Sequence, residues 1–226
     1  MKRSFTLVEL LVVTVIIGII IGAVVPAFTR LMRGNAVSYG LRMTTSQLNM
    51  ARTEACARRR YVAVVFPFDK DDLNPNNDDI SYQCSFRSCY VDKNGTNYTF
   101  NQWVPGTKWE FLPKGAIFKV PTWSNVAIQK MNVKAGKNGS NPADNVDPEG
   151  VLKMLNSTSA GYAIIFTPSG KPVNSGSNPS IHVQEGLFAN KNDTAPTREN
   201  TTNWYQVVVN RNTGVVKAIQ GDGTNL

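Results

Sequence analysis

Histidine is almost missing from this chain: among 226 residues there is one, His182. Cysteine is scarce as well, at Cys56, Cys84 and Cys89. A tetrahedral zinc site built on Cys84 and Cys89 needs two further nitrogen or sulfur ligands, and the composition offers no convincing set. His182 stands in SIHVQEG with no serine or cysteine nucleophile motif beside it, so it reads as an ordinary strand or loop residue. A phosphate-cradling loop is also missing. TPSGKP contains Gly170 and Lys171 but lacks the spacing and the following helix. These absences remove the common hydrolytic, metal-dependent and nucleotide-dependent chemistries, and the chain reads as a non-enzyme without a cofactor.

Acidic residues are rare at the N-terminal end. Residues 1–60 hold nine Lys/Arg against two Glu, while residues 61–226 hold fifteen against fourteen Asp/Glu. The overall charge of +8 therefore belongs to the N-terminal stem. A head that is nearly neutral argues against nucleic-acid binding over the whole surface, which needs a concentrated basic patch.

What the N-terminus has in abundance is apolar sequence. From Phe5 to Phe28 it reads FTLVELLVVTVIIGIIIGAVVPAF, flanked by Lys2 and Arg3 before and by Arg30 and Arg33 after. Its length suits a helix spanning a bilayer core. No small-residue cleavage site of a secretory signal follows it. One residue is out of place. Glu9 would cost roughly 2–3 kcal/mol in lipid unless paired. A carboxylate near a helix N-terminus gains from the helix dipole; the sharper reading is a positive partner met on assembly.

SFTLVELLVVTVIIGIIIGAVVP resembles the N-terminal segment of type IV pilins and type II secretion pseudopilins. The resemblance implies that a prepilin peptidase removes the leader Met1–Ser4 and that Phe5 becomes an N-methylated terminus. It implies that Glu9 pairs with a neighbouring subunit's terminal amine, and that Pro26 bends the helix, as its missing N–H and ring clash would. The family carries Gly immediately before the cleavage site; this chain has Ser4. The implied partners are other major and minor pilins or pseudopilins, the peptidase, an inner-membrane assembly platform and membrane lipid. The implied location is the inner membrane with the head in the periplasm, then a pilus or pseudopilus. These residues favour a type IV pilus over type II secretion without separating the two.

After Pro26 the pattern turns amphipathic. Leu31, Met32, Val37, Leu41, Met43, Leu48, Met50, Ala51, Ala55 and Cys56 suit one broad face, with arginines mostly opposite. One helix from about residue 5 to about 59 is expected, with Cys56 as a small buried residue. Four segments follow: a leader over 1–4, a membrane or assembly helix over 5–28, its amphipathic continuation over 29–60, and a globular head over 61–226. The expected class is α+β, a long N-terminal helix packed on an all-β head.

At Tyr61 the period changes to that of strands, with YVAVVFPF first. Further strands are expected over 96–104, 108–112, 116–120, 126–133, 161–168, 203–210 and 214–219, with turn residues between them. DKDDLNPNNDD over 69–79 lacks the glycine and terminal glutamate of a calcium loop and reads as solvated. SYQCSFRSCY reads as a possible small disulfide loop joining Cys84 and Cys89. Residues 134–156 and 172–202 read as long loops.

Two patches carry a second resemblance. AIIFTPSGKPV (163–173) and YQVVVNRNTGVVKAI (205–219) are similar to the strand–turn signature and the closing hairpin of the pseudopilin H/FimT-like head. Gly170 and Gly214 are expected to take positive φ in tight turns, and Pro168 to end a strand. The resemblance implies a structural minor pilin or pseudopilin that primes or caps its filament. An alternative is a DNA-binding pilin of the FimT type, with Lys171, Arg211 and Lys217 as the contact residues. A membrane-anchored periplasmic enzyme is a third class, and would need a pocket with convergent polar groups.

Overall fold

The computed structural model describes residues 7–67, 83–95, 97–119, 129–131, 161–173, 177–188 and 196–221. Helix α1 runs from Leu7 to Arg58, 52 residues without a break through Pro26. Ten strands follow: β1 (Tyr61–Phe66), β2 (Ser85–Asn94), β3 (Asn97–Trp103), β4 (Glu110–Phe111), β5 (Ala116–Lys119), β6 (Gln129–Met131), β7 (Gly161–Phe166), β8 (Ser180–Leu187), β9 (Thr197–Val209) and β10 (Val216–Gln220). The α+β class, with an N-terminal helix on an antiparallel β domain, is as the sequence pattern implies.

The strands form two sheets. The first has the order β3-β2-β1-β7-β6, with β4 pairing β2; the second has the order β10-β9-β8-β5. Every pairing is antiparallel. Alternation along β1 sets which residues meet the helix. Val62, Val64 and Phe66 join Val37, Leu48 and Ala55 of α1, Phe118 of β5, and Ile181, Val183, Val207 and Val209 of β8 and β9 in the main core. Phe66, Phe86 and Phe118 meet there with ring centroids 5.2–6.3 Å apart. The other face of β1 contributes Ala63 and Val65 to a second core with Cys89, Phe100, Trp103, Trp109 and Ile165. In that second core the Arg87 guanidinium lies 4.5 Å from the Trp103 ring centre and donates to the Thr107 carbonyl at 2.8 Å. The ring face and the carbonyl offset part of the cost of burying that charge.

Three expectations need correction. SYQCSFRSCY is not a disulfide loop. Cys89 lies in β2, Cys84 directly precedes that strand, and no disulfide joins them. Five residues of extended chain separate their Cα atoms by on the order of 15 Å, far beyond the 4.4–6.8 Å a disulfide allows. Cys84 packs against the main core and Cys89 sits in the second. Burial pushes the Cys84 thiol up to about 12 and the Cys89 thiol up as well. Cys56 is exposed rather than buried, because the face at 51, 55 and 48 takes the core positions one step away. Residues 172–202 are not one long loop: β8 and the first part of β9 fall within them. The polar Ser180, His182 and Gln184 masked the strand, yet all three are buried. The loops expected over 69–79 and 134–156 lie outside the described residues.

Candidate assembly surface

The helix has two halves with different surroundings. From Leu7 to Val24 the described large apolar side chains are 46–80% exposed, and none touches the head closely enough to be buried. A helix apolar on every side and uncovered in the monomer is one that lipid or other chains must cover. Among the described residues no helix is long and apolar enough to cross a membrane. The unbroken run of described side chains there is Leu7–Gly22, which is shorter than the roughly 20 residues a crossing needs, although the apolar sequence itself continues to Phe28. Glu9 occupies the first turn, where the N-terminal end of the dipole favours a carboxylate. Ser4 and Phe5 lie outside the described residues.

From Ala36 onward one face of the helix is buried on the head. Specific polar contacts fix its register. Gln47 Nε2 donates to Ser88 Oγ at 2.8 Å, and the Tyr90 hydroxyl donates to the Glu54 carboxylate. Arg58 also reaches Glu54, at 3.3 Å, and Arg60 lies 4.6 Å over the Tyr90 ring. The helix ends in a left-handed residue, Arg59 at φ 53°, and the Arg60 N–H returns to the Ala55 carbonyl at 3.2 Å. That is the six-to-one bond of a Schellman stop, made here without the usual glycine.

Two turns meet beside this helix end. Antiparallel pairing places Phe166 opposite Val62, so the turn that follows β7 emerges next to the start of β1. It is closed by Gly170 N–H to Thr167 carbonyl at 2.8 Å, with Gly170 at φ 76°. The second turn joins β9 to β10. The Asn210 side-chain oxygen accepts from the Asn212 and Thr213 amides, and Gly214 has φ 70°. Both expected positive-φ glycines are therefore in place, and β7 ends before Pro168. Arg52 fastens the two turns to the helix: its Nε donates to the Gly170 carbonyl at 3.3 Å and a terminal nitrogen donates to the Thr213 carbonyl at 3.0 Å.

Of the three basic residues singled out in sequence, Lys171 and Arg211 come together on these touching turns, both exposed. Lys217 stands apart on the β10 edge strand. Arg52 was missed. It is one arginine in an arginine-rich stem, and its partners are 118 and 161 residues away, so no local signal marks it. His182 is buried on β8, its ring 4.7 Å from that of Trp204 and paired in register with Lys119 of β5 and Gln206 of β9. Burial, helped by the Lys119 charge, lowers it to about 4. Among the described residues no group of three His, Cys, Asp or Glu is placed to hold a metal ion.

One comparison with known proteins bears on the N-terminal pattern. Residues 1–25 match the family model described as the prokaryotic N-terminal methylation motif. Among solved structures the chain is similar to the type IV minor pilin FimU of Pseudomonas aeruginosa, with 10% identity, a TM-score of 0.41, and 84% of this chain and 92% of that one covered. It is also similar to the minor pseudopilin EpsH from the type 2 secretion system of Vibrio cholerae, with 11% identity, a TM-score of 0.39, and 83% and 98% covered. No curated protein matches the chain.

Proposed function

We propose that this protein is a structural minor subunit of a type IV pilus or a type II secretion pseudopilus, helping to prime or cap the filament. The observation that carries this reading is the methylation motif over residues 1–25, continued by a helix whose first half is apolar on all sides and bare of head contacts. The sequence divides as a leader over 1–4, a membrane and assembly helix over 5–28, its head-bound continuation over 29–60 and the head over 61–226. Before assembly the segment 5–28 sits in the inner membrane with the head in the periplasm; the near-continuous apolar sequence supports this. A prepilin peptidase cuts between Ser4 and Phe5, and Phe5 is N-methylated. Methylation leaves the amine cationic, so it remains able to meet Glu9 of a neighbouring copy of the motif.

The physical role of Glu9 follows from desolvation. Either ion alone is expensive in an apolar surrounding; paired, each offsets the other's cost. The pair then rewards only the packing register in which both meet, while apolar contact supplies the affinity. Pro26 gives the helix a locally weakened hydrogen-bond ladder at the boundary between its two halves. The role is structural rather than enzymatic.

The test is the intact mass and N-terminal sequence of the protein extracted from native membranes. A chain beginning at N-methyl-Phe5 supports the reading, and shows that Ser4 is accepted at the cleavage site. A chain beginning at Met1 overturns it in favour of a static membrane-anchored protein. In the processed protein, Glu9→Ala is expected to remove it from the filament fraction and leave its membrane level unchanged.

A further inference from the structure

Strand β8 has two faces of opposite character. Ile181 and Val183 enter the main core. Ser180, His182 and Gln184 alternate with them and lie on the other face, yet all three are buried. Strand β9 alternates in the same way: Val207 and Val209 enter the core, while Trp204 and Gln206 share the face of His182 and Gln184. Ser180 and Gln206 satisfy each other there, with Gln206 Nε2 donating to Ser180 Oγ at 2.9 Å. The other three side chains have no such match. His182, Gln184 and Trp204 are 6%, 1% and 6% exposed, and among the described residues nothing bonds His182 Nδ1, Gln184 Oε1 or Trp204 Nε1. They are immediate neighbours. Gln184 stands directly opposite Trp204 in the ladder, and the centre of the His182 ring lies 4.7 Å from that of Trp204. The surroundings are apolar at this point. Strand β5 places Ile117 beside Gln184, and Gly221 backs the Trp204 indole so closely that a Cβ built there falls 1.9 Å from the ring.

We infer that His182, Gln184 and Trp204 form a binding site for one ordered water molecule between β8 and β9. Buried polar atoms are almost always satisfied, and those that lack a protein partner are where proteins hold internal water. The three atoms match water in chemistry. The indole N–H only donates and Gln184 Oε1 only accepts. Burial keeps the imidazole neutral at neutral pH, so one of its nitrogens accepts. A water that accepts from Trp204 Nε1 and donates to Gln184 Oε1 and His182 Nδ1 makes three bonds, as internal waters commonly do. This arrangement fixes His182 as the Nε2–H tautomer and turns the Gln184 oxygen, not its nitrogen, toward the site. An ion fits less well. The indole N–H and the Lys119 charge oppose a cation, and Gln184 Oε1 opposes an anion. The position gives the water a structural task. The register of β8 on β9 shifts between Gln184 and Glu185, so the ladder is interrupted beside these three residues. The water bridges the two strands where their backbones fall out of step.

The site is independent of the proposed filament role, and its test does not depend on processing. The full-length protein in detergent micelles, labelled with nitrogen-15 at tryptophan and histidine, is read by NMR. The Trp204 indole signal is identified by its contacts with Gly221, which packs on that ring. Its N–H is expected to show a direct dipolar contact with water, carrying the sign of a long-lived bound molecule. His182 is expected to show the nitrogen shifts of the Nε2–H tautomer. Gln184→Leu removes the acceptor at similar volume and is expected to abolish the water contact. Ser180→Ala is expected to preserve it, which excludes relay through that hydroxyl. No water contact in the folded parent protein, an Nδ1–H tautomer, a contact that survives Gln184→Leu, or one lost in Ser180→Ala would each overturn the inference. The contact and the tautomer are read in the parent protein, so they decide the matter even where a variant fails to fold.

Discussion

A Cβ atom built on Gly214 falls 1.8 Å from the carbonyl oxygen of Gly170. Two turns 44 positions apart in sequence thus touch backbone to backbone, with Arg52 donating to both. Gly214 also holds φ 70°, so any side chain there meets strain and a clash together. Gly214→Ala is expected to destabilise the head by roughly 3 kcal/mol, and urea unfolding followed by tryptophan fluorescence will read it. A loss below half a kilocalorie would show that the turns separate freely.

Arg52→Met keeps much of the aliphatic stem and removes both hydrogen bonds. Both are charge-assisted, one partly buried and the other exposed, so the expected loss is about 1 kcal/mol. Hydrogen exchange should quicken at Gly170 and Gly214, whose amides close the two turns, and stay unchanged in β2. Uniform quickening across the head would instead mean that Arg52 acts on global stability.

Arg59→Gly should stabilise. Arg59 is the left-handed residue of the helix stop, a conformation that costs a residue with a side chain about 1 kcal/mol relative to glycine. A midpoint shift to higher denaturant, with an unchanged slope, is the expected result. A decrease would show that the Arg59 side chain contributes more than its backbone loses.

His182 gives the head a defined acid sensitivity. Its folded value lies near 4, below the usual 6.5, so the unfolded chain takes up the proton first. Stability is therefore lost as pH falls from about 6.5 toward 4, at no more than about 1.4 kcal/mol per pH unit, and the contribution flattens below that window. His182→Gln should remove this part of the slope. A profile identical to the parent protein between pH 6.5 and 4 would refute the assignment.

The cysteines should behave as three separate thiols. A maleimide is expected to label Cys56 in the folded protein, and Cys84 and Cys89 only after unfolding. Adding a reductant should leave the melting temperature where it is. A reductant-dependent melting curve would restore the disulfide that the strand geometry forbids.

How much was legible in the sequence varies by element, for physical reasons. The helix was plain because a nearly unbroken apolar run leads into an amphipathic stretch with a 3.6 period, and its observed span, Leu7–Arg58, differs little from the expected one. β1, β5 and β7 were plain because they are short runs of β-branched and aromatic residues. β2 was hidden by its serines, Arg87 and the single Cys89, and β8 by polar residues that the fold buries. The outward face of β2 packs in the second core, and the polar positions of β8 are buried too, so the usual apolar–polar contrast is lost. Strand β9 extends well before position 203 for the same reason: Thr197–Thr202 carries no apolar signal and is held by its pairing with β8.

The apolar N-terminal segment with its methylation motif was legible in sequence alone. Glu9 among apolar neighbours, after Phe5 and before Pro26, is a local pattern, and local patterns survive without a fold. The basic end of the head was not. Lys171 and Arg211 lie 40 positions apart, and only antiparallel pairing brings their turns against the helix end where Arg52 waits. The sequence by itself determined that the N-terminal helix is apolar around one carboxylate, because hydrophobicity and one misplaced charge act at short range. The tertiary structure alone decided which cations share a surface and which thiols can never meet, because strand register fixes distances that no spacing along the chain reveals.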